Sequence, residues 1–117
     1  MNLFELTRRL IDIPSVSGEE REVGSFLASH LESLGYRVEL QEVEAGRSNV
    51  LATTGEPARV VLSTHMDTVP PFIPSAEDET HIRGRGACDA KGIIAAQVSA
   101  AEALRAEGVN AFGLLFT

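Results

Sequence analysis

Apolar residues recur at helical spacing in three stretches of the chain, and a helix-stopping residue follows each stretch. In chain order, the apolar positions are Leu3, Leu6, Leu10 and Ile13; Val23, Phe26, Leu27, Leu31 and Leu34; and Ile94, Val98, Ala101 and Leu104. Pro14, Gly35 and Gly108 end these stretches. The periodicity predicts three amphipathic helices, the third an alanine-rich helix over residues 89–107.

A capping signature precedes the second helix. Ser17 stands three residues before Glu20, the spacing at which a serine caps the first turn and a glutamate reaches back to it. We therefore predict that Ser17 is the N-cap residue and that Glu20 completes a capping box.

Four segments have the patterns of strands. Residues 36–41 alternate apolar with polar positions, which predicts a strand with one face in water, and residues 49–52 form a second strand after Gly46. Residues 59–64 have a continuous apolar core, Val60-Val61-Leu62, as in a central strand buried on both faces. Residues 111–117 begin another apolar strand.

The region between the third strand and the third helix is predicted to lie on the surface. Residues 70–80 contain three prolines and the acidic run Glu77–Glu79, which indicates a surface loop. Residues 81–83 could add a short strand before a glycine-rich segment.

The order helix, helix, three strands, helix, strand predicts an α/β fold: a three-layer sandwich with a mixed, partly parallel sheet. We expect residues 1–117 to form one domain. The last predicted strand stands at the end of the chain, so we expect it to leave an unpaired edge and to promote a homo-oligomer.

Composition narrows the function classes. The net charge of −7 and pI of 4.9 argue against nucleic-acid binding, which needs a basic surface. The single cysteine, Cys88, excludes an intrachain disulfide and suits a reducing compartment. There is no long apolar run and no secretory signal. We therefore predict a cytoplasmic protein without a membrane partner.

The first candidate site follows the most apolar strand. His65 and Asp67 lie two residues apart at its carboxyl end, where α/β sheets usually bind ligands. Such a histidine can bind zinc, and a nearby carboxylate can orient its ring. Taken alone, the spacing favours a polar strand end that bonds to its own loop, because His-x-Asp is common by chance.

The second candidate site is the segment Gly84–Gly92, with Asp89 at the start of the alanine-rich helix. Taken alone, Asp89 reads as an N-cap. A nucleotide-binding loop is a weaker alternative, because the glycines fit neither the dinucleotide nor the Walker spacing. Cys88 reads as a buried small residue, and Lys91 as solvated or bound to a loop.

Motifs along nearly the whole chain resemble a known family. They are Ile13-Pro14-Ser15 with Gly18-Glu19-Glu20, Leu34-Gly35-Tyr36, Asn49-Val50, His65-Met66-Asp67-Thr68-Val69-Pro70, and Gly84-Arg85-Gly86-Ala87 with Asp89 and Lys91-Gly92. The chain resembles the zinc metallo-aminoacylases and metallopeptidases that include acetylornithine deacetylase, succinyl-diaminopimelate desuccinylase and glutamate carboxypeptidase. The resemblance implies a partial catalytic domain of a zinc-aminopeptidase-like fold.

The resemblance also implies roles for three residues. His65 would bind one zinc ion, Asp89 would bridge two zinc ions, and Asp67 would be a catalytic residue that orients His65. Cobalt could replace zinc. A strained or cis peptide bond would follow Asp89. Ala90 departs from the methionine that is frequent in the family.

The implied reaction is removal of an acyl group from an N-acyl amino acid; a dipeptidase or carboxypeptidase of the same family is the alternative. The substrate would be a small N-acyl amino acid or peptide. The family's Glu-Glu pair, which supplies the general base, would follow Thr117. We therefore expect the 117 residues to bind zinc weakly and to be inactive alone. A non-catalytic α/β binding or assembly module is the competing class.

Overall fold

The computed structural model describes residues 1–117 as nine elements. They are α1 (Leu3–Ile11), α2 (Arg21–Ser33), β1 (Arg37–Glu44), β2 (Arg47–Thr53), β3 (Val60–Thr64), β4 (Ala76–Glu77), β5 (Ile82–Arg83), α3 (Lys91–Ala106) and β6 (Phe112–Phe116). The predicted order of helices and strands is confirmed, with β4 and β5 added as a small antiparallel hairpin. No helix is long and apolar enough to span a bilayer.

The main sheet has four strands in the order β1-β2-β6-β3. β1 pairs antiparallel with β2, and β2 pairs antiparallel with β6. β3 runs parallel to β6, joined to it by a crossover that contains α3. The predicted α/β class and the mixed, partly parallel sheet are confirmed.

The helices cover one face of this sheet. The row Val38, Ala52, Leu114 and Leu62 crosses all four strands in register, and its side chains belong to or pack against the core cluster that also contains the apolar stripes of the helices. The neighbouring row, Glu39, Leu51, Leu115 and Ser63, points to the opposite face because side chains alternate along a strand. Its members are exposed or half-buried. The expected third layer is not formed by these 117 residues.

The predicted central position of residues 59–64 is wrong for this chain. β3 is an edge strand, and Val60 and Val61 are 58% and 49% exposed. These apolar side chains are exposed because neither the outer edge of β3 nor its second face has a partner within the 117 residues.

The predicted unpaired edge at the end of the chain is also wrong. β6 lies between β2 and β3, and Phe112, Leu114 and Phe116 are buried. The free edges belong to β1 and β3, so this reason for self-association does not hold, and the homo-oligomer stays a prediction.

The two N-terminal helices start differently. Asn2 caps α1 in a capping box with Glu5. α2 begins after Glu20, and Glu20 makes no side-chain bond as its cap. The predicted capping box at Ser17 is therefore wrong, because the Ser17 hydroxyl bonds elsewhere and Glu20 accepts a hydrogen bond from the Gly18 N–H.

The start of α3 requires a glycine. A Cβ on Gly92 would lie 2.2 Å from the carbonyl oxygen of Ala87, a backbone atom of the preceding turn. A Cβ on Gly24, in the middle of α2, would meet nothing closer than 3.8 Å. The first turn of α3 therefore packs against the glycine-rich segment only because residue 92 has no side chain.

We predict that Gly92→Ala destabilises the chain by at least about 2 kcal/mol, since overpacking against backbone forces a shift of the first turn. Gly24→Ala is the matched control, and its stability should be unchanged or higher because alanine is the better helix former. Urea unfolding followed by circular dichroism measures both. Equal stability of the two variants would contradict the close approach.

Candidate metal centre

β3 delivers His65 to the carboxyl end of the sheet. The strand remains bonded to the end of β6 beyond its last residue: the Thr117 N–H donates to the Thr64 carbonyl at 3.0 Å, and the Met66 N–H donates to the Thr117 carbonyl at 2.8 Å. Met66 is buried in the core. These contacts fix the backbone on both sides of His65.

His65 and Asp89 meet across the two candidate segments. The Nε2 atom of His65 lies 2.7 Å from Oδ1 of Asp89. The Asp89 side chain is 81% exposed, and α3 has no side-chain cap, so the alternative in which Asp89 is an N-cap does not apply. The peptide bond between Asp89 and Ala90 is cis, as the family resemblance implies.

Asp67 contacts the other nitrogen of the same ring. The Nδ1 atom of His65 lies 3.0 Å from both Oδ1 and the backbone carbonyl of Asp67. The second carboxylate oxygen of Asp67 accepts a hydrogen bond from the Ser17 hydroxyl. Both ring nitrogens of His65 therefore face oxygen atoms of aspartates.

The pKa values of this cluster reflect those contacts. Burial lowers the pKa of His65, but the hydrogen bonds to Asp89 and Asp67 outweigh burial and raise it above its ordinary value of 6.5. The hydrogen bond from Ser17 is the largest cause that lowers the pKa of Asp67, and the nearby imidazole lowers it further. Asp67 is therefore an anion at neutral pH.

The donor set suits zinc, although it is incomplete. Imidazole nitrogen and carboxylate oxygen are common zinc ligands, and a catalytic zinc usually has three protein ligands. His65 and Asp89 supply two ligand atoms at one place. No group of three or more His, Cys, Asp or Glu side chains is arranged to hold a metal ion. The two residues fit part of a metal site.

The loop between α1 and α2 contacts the segment that carries this centre, and the sequence patterns did not predict this contact. The Ser15 hydroxyl is buried and donates to the Met66 carbonyl at 2.9 Å, and Val16 bridges Thr68 in parallel. Serines 15 and 17 gave no signal of this role, because Ser17 has the spacing of a helix cap. Only the fold brings the loop beside residues 66–68.

Lys91 is the second feature that was missed. It is buried rather than solvated, and its ammonium donates to the Ile13 carbonyl, so the loop-bound alternative is correct. Burial lowers the pKa of Lys91 to about 8.

The expected burial of Cys88 is wrong, since Cys88 is exposed. His30 is half-buried against Phe26 and His81 is exposed, and neither lies in the site.

Glu20 ties the same loop to the hairpin of β1 and β2. Its carboxylate accepts two hydrogen bonds of 3.0 Å from the Arg47 guanidinium and one of 2.8 Å from the Gly18 N–H. Burial raises the pKa of Glu20, but these hydrogen bonds outweigh burial, and the pKa lies below its ordinary value of 4.5. The ion pair therefore stabilises the fold when Glu20 is charged.

We predict that Glu20→Gln lowers the free energy of unfolding at pH 7 by about 1–2 kcal/mol, since it weakens charge-assisted hydrogen bonds. Because the folded pKa is lowered, the stabilisation is complete above pH 4.5 and is lost as the pH falls through the folded pKa. Urea unfolding at several pH values should show the two proteins converging in acid.

Glu22→Gln, which changes an exposed carboxylate in the first turn of α2, is the control and should have little effect at any pH. A difference between Glu20→Gln and the unchanged chain that persists undiminished at pH 3 would contradict the ion pair.

Fold and site together define a class: an α/β domain with a histidine and an aspartate that converge at the carboxyl end of a parallel strand. Residues 61–117 match the sequence profile of peptidase family M20/M25/M40. This region contains His65, Asp67 and Asp89 and thus the whole candidate centre.

Relatives extend the similarity over nearly the whole chain. A peptidase M20 domain-containing protein of Schizosaccharomyces pombe is 46% identical over 92% of this chain and 28% of its own length. A probable carboxypeptidase of Emericella nidulans is 48% identical over 97% of this chain and 30% of its own length. The chain is therefore similar in sequence to these proteins over nearly its whole length and spans less than a third of their lengths.

Solved structures agree in fold. An M20 family metallo-carboxypeptidase from Sulfolobus solfataricus superimposes with a TM-score of 0.80 at 23% identity, over 99% of this chain and 30% of that one. A Zn-dependent exopeptidase from Parabacteroides distasonis gives a TM-score of 0.64 at 20% identity, over 98% of this chain and 44% of that one. The fold of this chain is therefore similar to that of part of each of these solved chains.

Proposed function

We propose that this chain is the N-terminal part of the catalytic domain of a zinc-dependent hydrolase that cleaves amide or peptide bonds. His65 and Asp89 are its metal ligands, and Asp67 orients His65. The observation that carries the proposal is the 2.7 Å approach of His65 Nε2 to Asp89 Oδ1, with Nδ1 of the same ring bonded to Asp67. A histidine that binds zinc through one ring nitrogen usually donates the N–H of its other ring nitrogen to a carboxylate, a carbonyl or water.

A bound zinc ion supplies polarisation of the scissile carbonyl and activation of water. The residues of this chain prepare that chemistry. With its Nδ1–H donated to Asp67, His65 would present the lone pair of Nε2 to a metal ion in place of its present contact with Asp89. Asp89 is largely exposed, so its second oxygen is open to a further ion, as the bridging role would require. Two zinc ions are part of this proposal.

Among substrates, a peptide with a free carboxyl end is favoured over an N-acyl amino acid. The support comes from the relatives named as carboxypeptidases at 36–48% identity. The deacylase alternative rests on motif resemblance alone. Both reactions hydrolyse an amide bond, and the roles of His65, Asp67 and Asp89 would be the same in each.

We predict that the 117-residue chain binds Zn²⁺ or Co²⁺ weakly and that His65→Ala and Asp89→Ala each reduce the affinity at least tenfold, since each removes one of two ligands. Isothermal titration calorimetry measures the affinities. His81→Ala is the matched control, because His81 is exposed and lies outside the site. A chain that binds no zinc, or that loses as much affinity with His81→Ala, would favour the non-catalytic module.

We also predict no turnover by the chain alone, because it brings together two ligands where a catalytic zinc usually has three. The measurement is release of amino acids from dipeptides and N-acetyl amino acids by the purified, zinc-supplemented chain. Hydrolysis above the rate of the Asp89→Ala variant would refute this prediction.

A further inference from the structure

The loop that precedes α2 runs beside the segment that carries the candidate centre. The Thr68 N–H donates to the Ser15 carbonyl at 2.9 Å, and the Ser17 N–H donates to the Thr68 carbonyl at 3.2 Å. The buried Ser15 hydroxyl and the Glu20–Arg47 ion pair fix the loop at its two ends. The backbone of Ser17 is therefore held in place by contacts that do not involve its own side chain.

The Ser17 hydroxyl makes one hydrogen bond in this arrangement, to the carboxylate of Asp67. It donates to Oδ2 of Asp67, while Oδ1 of the same carboxylate lies 3.0 Å from Nδ1 of His65. Ser17 does not cap α2, which begins at Arg21 and makes no side-chain cap bond. The side chain is exposed and adds nothing to the core.

The contact matters because a carboxylate rotates readily about its last bond. Terminal torsions of aspartate are broad, so one hydrogen bond to Nδ1 leaves the plane of the Asp67 carboxylate weakly fixed. A second hydrogen bond on the opposite oxygen fixes it. The carboxylate of Asp67, together with the backbone carbonyl of the same residue, then holds Nδ1 in the ring orientation in which Nε2 faces Asp89.

We propose that Ser17 is a positioning residue of the metal centre: its hydroxyl fixes the Asp67 carboxylate, and through it the ring of His65. This inference rests on the proposed function for its consequence in metal binding, although the orientation of the ring can be measured without metal. Asp67 is the partner one step beyond the ligand, a position at which substitutions typically change metal affinity by 10–100-fold, and Ser17 acts through Asp67.

The test compares Ser17→Ala with Ser17→Thr, which keeps a hydroxyl, and with Ser25→Ala, an exposed serine of α2. The first readout is the imidazole ¹H–¹⁵N spectrum of His65 in the metal-free 117-residue chain. We expect the Nδ1–H signal to be sharp in the unchanged chain and in Ser17→Thr, and broadened or lost in Ser17→Ala. Ser25→Ala should match the unchanged chain.

The second readout is Zn²⁺ affinity by calorimetry, which should fall about tenfold or more in Ser17→Ala and recover in Ser17→Thr, with the thermal midpoint unchanged. If Ser17→Ala does not fold, Ser17→Gly, which also lacks the hydroxyl, takes its place. His65 signals and zinc affinity in Ser17→Ala equal to those of the unchanged chain would overturn the inference. A chain that binds no zinc but shows the predicted His65 broadening would refute the proposed function and leave the positioning role standing.

Discussion

The parallel pairing of β6 with β3 is the constraint on which the rest of the structure depends. β6 occupies the place between β2 and β3, so it joins the antiparallel β1–β2 hairpin to the strand that carries the site. Its buried face, Phe112, Leu114 and Phe116, is the part of the sheet on which the helices pack. Without β6, β3 would have no strand partner, and the backbone on either side of His65 would lose its bonds to Thr117.

This constraint explains how the two residues of the candidate centre, His65 and Asp89, are held together. His65 reaches the site on β3, whereas Asp89 reaches it at the end of a glycine-rich segment that packs closely because Gly92 has no side chain. The α1–α2 loop closes the third side through Ser15 and Ser17. Three segments far apart in sequence therefore meet at one carboxyl end, where α/β folds place their ligands. The exposed Val60 and Val61 lie at the start of β3, at the opposite end of the strand from His65.

The sequence predicted the positions of the helices and strands better than it predicted which strands pair and which residues are buried. Helical periodicity located all three helices, because each has a single buried stripe, and the pairing of His65 with Asp89 followed from motifs whose order is specific. Burial was misjudged where it depends on pairing across the chain: residues 60–64 are apolar on both faces and yet form an edge. Ser17 was misjudged because its spacing to Glu20 satisfies a local rule, while its actual partner, Asp67, is fifty residues away. Such contacts are set by topology, which local patterns do not encode.

The central claim is that His65 and Asp89 are ligands of one ion, and anomalous diffraction at the zinc absorption edge tests it most directly. Crystals of the 117-residue chain grown with Zn²⁺ would be measured on both sides of the edge. The account predicts an anomalous peak about 2.0–2.2 Å from Nε2 of His65 and from a carboxylate oxygen of Asp89, with Asp67 still bonded to Nδ1. A fully occupied zinc site elsewhere on the chain, with no peak between these two residues, would contradict it.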